Sequence, residues 1–301
     1  SLRSFFSKNP AIRKVRANRL LRAVILVLVL AFVLTAPFLL SPYAISVTGL
    51  ILIYAILGLG LNLIVGLSGQ LVFGFVAFYA IGAYTFALLT APRPLGLEFS
   101  FPLAFAVALA ISGLSGIIVG LPIMNLRGDY LAIVTLGFAE IVRVLVNSNL
   151  LADFTGGPQG IKDIGQPAQP RFLASLLGKP VAENIYFMYV LMFCFALTLY
   201  VVFRLQYSRV GRSWEAIHED ETVAQACGVS TGYYKVLAVI IGAVIAGAAG
   251  AFYASRNTYI GPGDFVFMVS VNSLAVIVVD GMGSIPGALV GAFIIKGVPE
   301  L

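Results

Sequence analysis

The chain is 301 residues long, 60% hydrophobic and only 11% charged, with a mean hydropathy of +0.99 and a formal net charge of +6 at pH 7. Soluble domains carry roughly 25% charged residues, so this composition excludes an ordinary soluble protein and leaves a membrane protein. The positive balance does not point to nucleic acid, because seven of the nineteen basic residues precede Ala23, as a cytoplasmic flank precedes a first membrane span.

A helix needs about 20 residues to cross a hydrocarbon core of roughly 30 Å. Stretches such as LLRAVILVLVLAFVLTAPFLL are apolar on every side rather than alternating, which predicts spanning helices and excludes a transmembrane barrel. The apolar run at residues 23–40 is longer than the core of a cleaved signal peptide and lacks a small-x-small cleavage site, so it reads as a retained first helix. With the basic end inside, residues 45–66 return to the cytoplasm, 69–91 lead out and 99–124 come back. Residues 130–146 then lead out to a polar excursion, 147–184, expected to be an external loop although it carries Lys162, Arg171 and Lys179. Residues 186–203 return, 236–254 exit, 265–279 re-enter, and 287–298 begin a last span. The prediction is an all-α, polytopic helical bundle of eight or nine spans in one membrane domain, residues 1–301.

Glycine marks places where these spans are expected to be broken or re-entrant. Residues 62–84 contain Gly66, Gly69, Gly74 and Gly82, the pattern of unwound backbone that lines a cavity. Small residues four apart, Ala108, Ser112, Gly116 and Gly120, and again Gly283, Gly287 and Gly291, predict close helix packing, within the chain or at a subunit interface. Glu140 and Arg143 share a helix face inside a span, with Glu140 about 15 Å along the axis. They are either a mutually neutralising pair that orients the helix or part of a path through the membrane. Asn62 and Gln70 pose the same choice, with helix-to-helix hydrogen bonding as the alternative. Cys194 and Cys227 read as free thiols, and neither a metal site nor a catalytic constellation is expected.

The stretch GRSWEAIHEDETVAQACGVS, residues 211–230, is an acidic island in a loop, 203–235, placed in the cytoplasm and flanked by Arg204, Arg209, Arg212 and Lys235. Ser213 can cap a helix, Glu215 suits the positive end of its dipole, and Gly228 offers a left-handed stop, which predicts one helix of about fifteen residues, roughly 22 Å long. Trp214, Ile217, Ala224 and Cys227 fall on one face, and Glu215, Glu219 and Asp220 on another. Acidic residues disfavour a headgroup-bound helix. That leaves a connector packed on its own protein or an element docked in a partner's groove. His218, the sole histidine, has no acid or nucleophile beside it in sequence and reads as a surface residue.

The motif G-R-S-W-E-A-I-x-E-D-E followed by A-x-A-C-G-V resembles the loop by which ABC-importer permeases dock on their ATPase subunits. More narrowly, the chain resembles branched-chain amino-acid importer permeases of the LivM type over nearly its whole length. The shared stretches are GLNLIVGLSGQLVFGFVAFYAIGAY from Gly60, LRGDYLAIVTLGFAEIVRVLVN from Leu126, TGGPQGI from Thr155 and GMGSIPGALVGA from Gly281. The resemblance implies a multi-pass permease of the bacterial cytoplasmic membrane that imports branched-chain or other small amino acids. It implies a homologous permease, two cytoplasmic ATPases and an external solute-binding protein as partners, with ATP and Mg held by the ATPases. This chain itself has no G-x-x-x-x-G-K-[ST] phosphate loop, no cofactor and no enzymatic role on this reading.

The resemblance assigns ATPase docking to Gly211, Arg212, Ser213, Trp214, Glu215, Ala216, Ile217, Glu219, Asp220 and Gly228. Trp214 and Ile217 would be packing contacts, the acidic residues polar ones, and the two glycines would fix the helix ends. Related permeases associated with urea or short amides keep the substrate open, and a self-sufficient channel or ion-coupled carrier is the alternative from another class. Two features depart from the family: Asp280 stands where a small neutral residue is expected, and the chain stops at GVPEL where relatives continue. With no initiating methionine, the C-terminus is expected to be trimmed.

Overall fold

The computed structural model describes residues 41–124, 129–167, 183–278 and 283–300, together with Thr35, Pro37 and Phe38. Most of the first expected span, as well as Arg171, Lys179 and Asp280, lies outside the described residues. The chain divides into two compact units, Ser1–Ile45 and Ser46–Leu301. The first contributes the opening turn of helix α1, and the second holds everything that follows.

α1, Pro42–Leu61, is buried continuously from Ile53 to Leu61, so its uniformly apolar sequence faces protein on all sides. It passes into a π-helical turn, Asn62–Leu67, after which residues 68–74 leave helical geometry. Gly69 in that stretch has φ of 71°, a conformation natural to glycine. α2 is Phe75–Thr90, α3 is Phe101–Ile123 with proline in its first turn, and α4 is Asp129–Asn147. α5, Glu183–Gln206, leads into two short helices, α6 (Arg209–Glu219) and α7 (Glu221–Ala226), and then into α8, Thr231–Asn257. α9, Phe267–Val278, and α10, Ile285–Ala292, follow, the latter continuing as a π-helical turn, Phe293–Gly297.

Among the described residues five helices are long and apolar enough to cross a membrane: Pro42–Leu67, Phe101–Pro122, Tyr130–Asn147, Asn184–Gln206 and Thr231–Asn257. Phe75–Thr90, Phe267–Val278 and Ile285–Gly297 are apolar but shorter. The sequence suggested eight or nine spans; α2 falls short because the glycine-bearing stretch before it is not helical, and its 16 residues cover only about 24 Å.

α8 is the central helix. Its run of Gly and Ala from Gly242 to Ala251 is almost entirely buried. A Cβ at Gly82 of α2 would strike the backbone of Gly247, and one at Gly250 would strike the Tyr79 carbonyl, so α2 and α8 meet backbone to backbone. The α3 stripe packs on the same helix: Ala108 and Ser112 are fully buried, Gly116 faces Ala243 and Ile240, and Gly120 faces Val236. That stripe is internal packing. The other face of α3 exposes Leu114, Ile118 and Leu121.

At the Arg256 end of the bundle, the guanidinium of Arg256 binds the carbonyl and hydroxyl oxygens of Ser46 at 2.9 and 2.7 Å. Ser255 Oγ donates to the Gly165 carbonyl at 3.0 Å. Here two short strands, β1 (Ile161–Lys162) and β2 (Tyr259–Ile260), pair antiparallel, a small exception to the all-α expectation. The TGGPQGI stretch makes the approach to β1 possible, since Gly160 has φ of 67° and a side chain there would strike the Ile260 carbonyl.

Candidate functional site

The acidic island lies at the opposite end of the bundle, and it is two helices rather than the single rod expected. α6 is capped by Ser208, whose Oγ accepts from the amides of Val210 and Gly211 at 3.1 and 3.3 Å. Ser213 is inside the helix and donates to the Arg209 carbonyl at 3.1 Å, so it is not the cap. Gly211 is also interior; a Cβ there would strike the Leu205 and Gln206 carbonyls, so glycine lets α6 fold tightly against the end of α5. Asp220 interrupts the rod with φ of −157° and caps α7, its Oδ1 accepting from Thr222 and Val223 amides at 2.8 and 3.0 Å. A carboxylate that can cap a new helix competes with continuing the old one. Gly228, with φ of 85°, follows the end of α7 as a left-handed residue.

This break decides which side chains face inward. Trp214 is fully buried and its indole Nε1 donates to the Tyr234 carbonyl of α8 at 2.8 Å. Ile217 and Ala224 are buried as well, whereas Cys227, expected on the same apolar face, is exposed because the break at Asp220 changes the helical phase. The apolar edge of the island is therefore covered by this chain's own helices. Left exposed are Arg212, Glu215, His218, Glu219, Asp220 and Val223, with Ser213 and Ala216 half-buried.

The island is pinned to the ends of the glycine-rich spans. His218 Nδ1 lies 3.1 Å from the Gly66 carbonyl; a carbonyl only accepts, so Nδ1 carries the proton. Gly66 lies in the last turn of the π-helical segment after α1, where a helix leaves its last carbonyls without intrahelical partners. Asn62, fully buried, accepts from the Gly283 amide at 2.8 Å through Oδ1 and donates to the Ser284 carbonyl at 3.4 Å. Gln206, at the end of α5, donates to the Gly283 carbonyl at 3.2 Å. A Cβ at Gly66 would strike both Asn62 Oδ1 and the Gly283 amide. Three segments thus cross at Gly66, the end of α1, the turn before α10, and α6.

A second tie runs from α7 to α8. Lys235 is 6% exposed at its side chain and its Nζ sits 2.6 Å from Glu221 Oε1. The Lys235 carbonyl accepts from Gln70 Nε2 at 3.3 Å, and Gln70 also donates to Ser68 Oγ at 2.7 Å. Both candidate amides, Asn62 and Gln70, are therefore engaged with backbone at this joint. His218 is exposed, as its reading as a surface residue expected, but sequence reasoning missed its bond to Gly66 and the Lys235–Glu221 pair. The histidine's partner is 152 residues away, and the glutamate looked like one more acidic residue in an acidic run.

Glu140 and Arg143 belong elsewhere. They form an ion pair on the outward surface of α4, and no hydrogen bond among the described residues joins them to the joint at Gly66. Among the described residues no group of three or more His, Cys, Asp or Glu side chains is placed to hold a metal.

The family described as "Branched-chain amino acid transport system / permease component" matches residues 43–301. The high-affinity branched-chain amino acid transport system permease protein LivM of Escherichia coli K12 is 39% identical over 292 residues, and its counterpart in Salmonella typhimurium 41% over 264. These matches take in 92% and 82% of this chain, which spans 67% and 61% of the length of those two relatives. The high-affinity branched-chain amino acid transport system permease protein LivH of E. coli K12 is 26% identical over 269 residues, covering 82% of this chain and 80% of its own. No solved structure matches the chain.

Proposed function

The chain belongs to the family of branched-chain amino acid transport system permease components, and from that membership we propose that it is a membrane subunit of an importer driven by separate ATP-hydrolysing subunits. Its cargo is branched-chain or other small amino acids, in keeping with the printed names of its relatives; no finding favours urea or a short amide. It works in the bacterial cytoplasmic membrane beside a homologous permease, receives cargo from an external solute-binding protein, and leaves ATP and Mg to two cytoplasmic ATPases. The positive residues Arg204, Arg209, Arg212 and Lys235 support a cytoplasmic position for the α6–α7 end.

One observation carries the reading: α6 and α7 are fastened to two span ends, the end of α1 and the start of α8, while their acidic flank is left exposed. Glu215, Glu219 and Asp220, with Arg212, form the surface offered to an ATPase, and Trp214 and Ile217 hold the helix in place beneath it. A push on that surface reaches the end of α1 through His218 and Gly66, and the start of α8 through Trp214 and the Lys235–Glu221 pair. Packed helices joined this way move by small sliding steps rather than by bending. A self-sufficient carrier would have no need of such an attached, exposed element.

The test is charge reversal at Glu215 and Glu219 in the complete transport complex. ATPase co-purification and uptake are expected to fall together, with the chain still present in the membrane at its normal level. Undiminished assembly and transport, or gradient-driven flux by this chain reconstituted alone, would reject the reading.

A further inference from the structure

α4 is long and apolar enough, over Tyr130–Asn147, to cross the membrane, yet Glu140 and Arg143 stand on the surface of the chain, their side chains 54% and 35% exposed. Arg143 Nε is 2.9 Å from Glu140 Oε2 and 3.1 Å from Oε1, and Nη2 makes a further contact with Oε1. Glu140 lies ten residues beyond Tyr130, about 15 Å along the axis and half-way through a hydrocarbon core of roughly 30 Å. Ionised groups at that depth face the bundle interior or a protein-lined space rather than acyl chains, because lipid offers neither water nor dipoles to replace their hydration. Among the described residues nothing encloses the pair on its outer side.

The same face says how closely its cover approaches. Ile133, Ile141 and Val144 are exposed there, and Gly137 sits among them at helical spacing. A Cβ at Gly137 would meet nothing within 4 Å, whereas Gly82, Gly116 and Gly250 are each filled by a neighbouring helix. Within this bundle a membrane glycine marks a close backbone approach; at Gly137 no described helix makes that approach. The occupant is indicated by the relatives. In E. coli K12 two proteins, LivM and LivH, are each named as a permease protein of a high-affinity branched-chain amino acid transport system, and both are similar to this chain along most of its length.

We propose that the α4 face formed by Ile133, Gly137, Glu140, Ile141 and Val144 is the seam against a homologous permease, with the Glu140–Arg143 pair shielded from lipid at that contact. The proposal rests on the permease reading above and adds which surface makes the pairing. The test uses the assembled complex in native membranes, with a photo-cross-linking residue placed singly at Ile141, at Val144 and, as a control on the exposed face of α3, at Ile118. Adducts with the second permease at 141 and 144, and none at 118, are the expected result. Adducts with lipid alone at 141 and 144, or adducts between two copies of this chain, overturn the seam if the two permeases still co-purify. Loss of co-purification in the unmodified complex would instead overturn the permease reading itself. A second arm is Gly137→Leu, expected to lower recovery of the heterologous pair about tenfold while leaving the thermal unfolding of the isolated chain unchanged; undiminished recovery counts against the seam.

Discussion

His218 of α6 and Gly66 of the π-helical turn are joined through a single hydrogen bond, Nδ1 to carbonyl oxygen at 3.1 Å, across 152 residues of sequence. It is a direct link between the exposed acidic helix and the end of a buried span.

If that link transmits motion, His218→Ala should leave complex assembly and ATP hydrolysis near normal and lower the amino acid taken up per ATP hydrolysed. A net hydrogen bond contributes about 1 kcal/mol, which sets the scale at about fivefold. Asn places an amide donor near the position of Nδ1 and should restore most of the coupling, whereas Gln, one methylene longer, should not. The measurement is uptake and phosphate release side by side in proteoliposomes. Equal coupling in His218→Ala and the native complex would remove His218 from the transmission path.

Trp214 separates a structural role from a docking role. Its ring is fully buried and its Nε1 is bonded to the Tyr234 carbonyl at 2.8 Å. Trp214→Ala should therefore destabilise the isolated chain by about 3–5 kcal/mol, read as a lower unfolding temperature in detergent with no ATPase present. Trp214→Phe keeps much of the volume and loses mainly the hydrogen bond, about 1 kcal/mol. A Trp214→Ala chain as stable as the native one would place the indole at a partner surface after all.

How much of this was readable beforehand follows from the range of each interaction. The long helices were legible because twenty apolar residues in a row have few other fates, and the α3 stripe because small residues four apart share one helix face. Gly228 was legible as a stop for the same local reason. The two-helix form of the island was not: Ser208 and Asp220 compete with Ser213 for the capping role, and only the packing of Trp214 and Ile217 beneath the bundle selects the phase. The contacts of His218, Gln206 and Lys235 escaped notice because their partners, Gly66, Gly283 and Glu221, lie on other elements, and no periodicity announces a backbone carbonyl as a partner.

The contact between α2 and α8 makes a sharp prediction about volume. At Gly82 a Cβ would fall against the Gly247 backbone, which cannot swing aside as a flexible side chain can. Gly82→Ala should cost about 1–3 kcal/mol, the range for overpacking a dense interior, and Gly82→Val more. Gly137→Ala, open on its outer side, should leave the isolated chain unchanged. Thermal unfolding of the three purified variants checks the order, and a tolerated Gly82→Val would contradict the close approach.

The Lys235–Glu221 pair should show the asymmetry of a buried ion pair. Lys235 has a side chain only 6% exposed, while that of Glu221 is 22% exposed and closer to water. Glu221→Gln leaves the ammonium buried without its counter-charge and should cost about 3–5 kcal/mol. Lys235→Met instead removes the desolvated charge and fills similar volume, so its cost should be clearly smaller. The double variant should recover most of the loss seen in Glu221→Gln, because the charge that needed a partner is gone. Unfolding curves for the two single variants and the double variant close the cycle. Equal, additive losses would mean that the two side chains act independently and that α7 is held to α8 by packing of Ala224 alone.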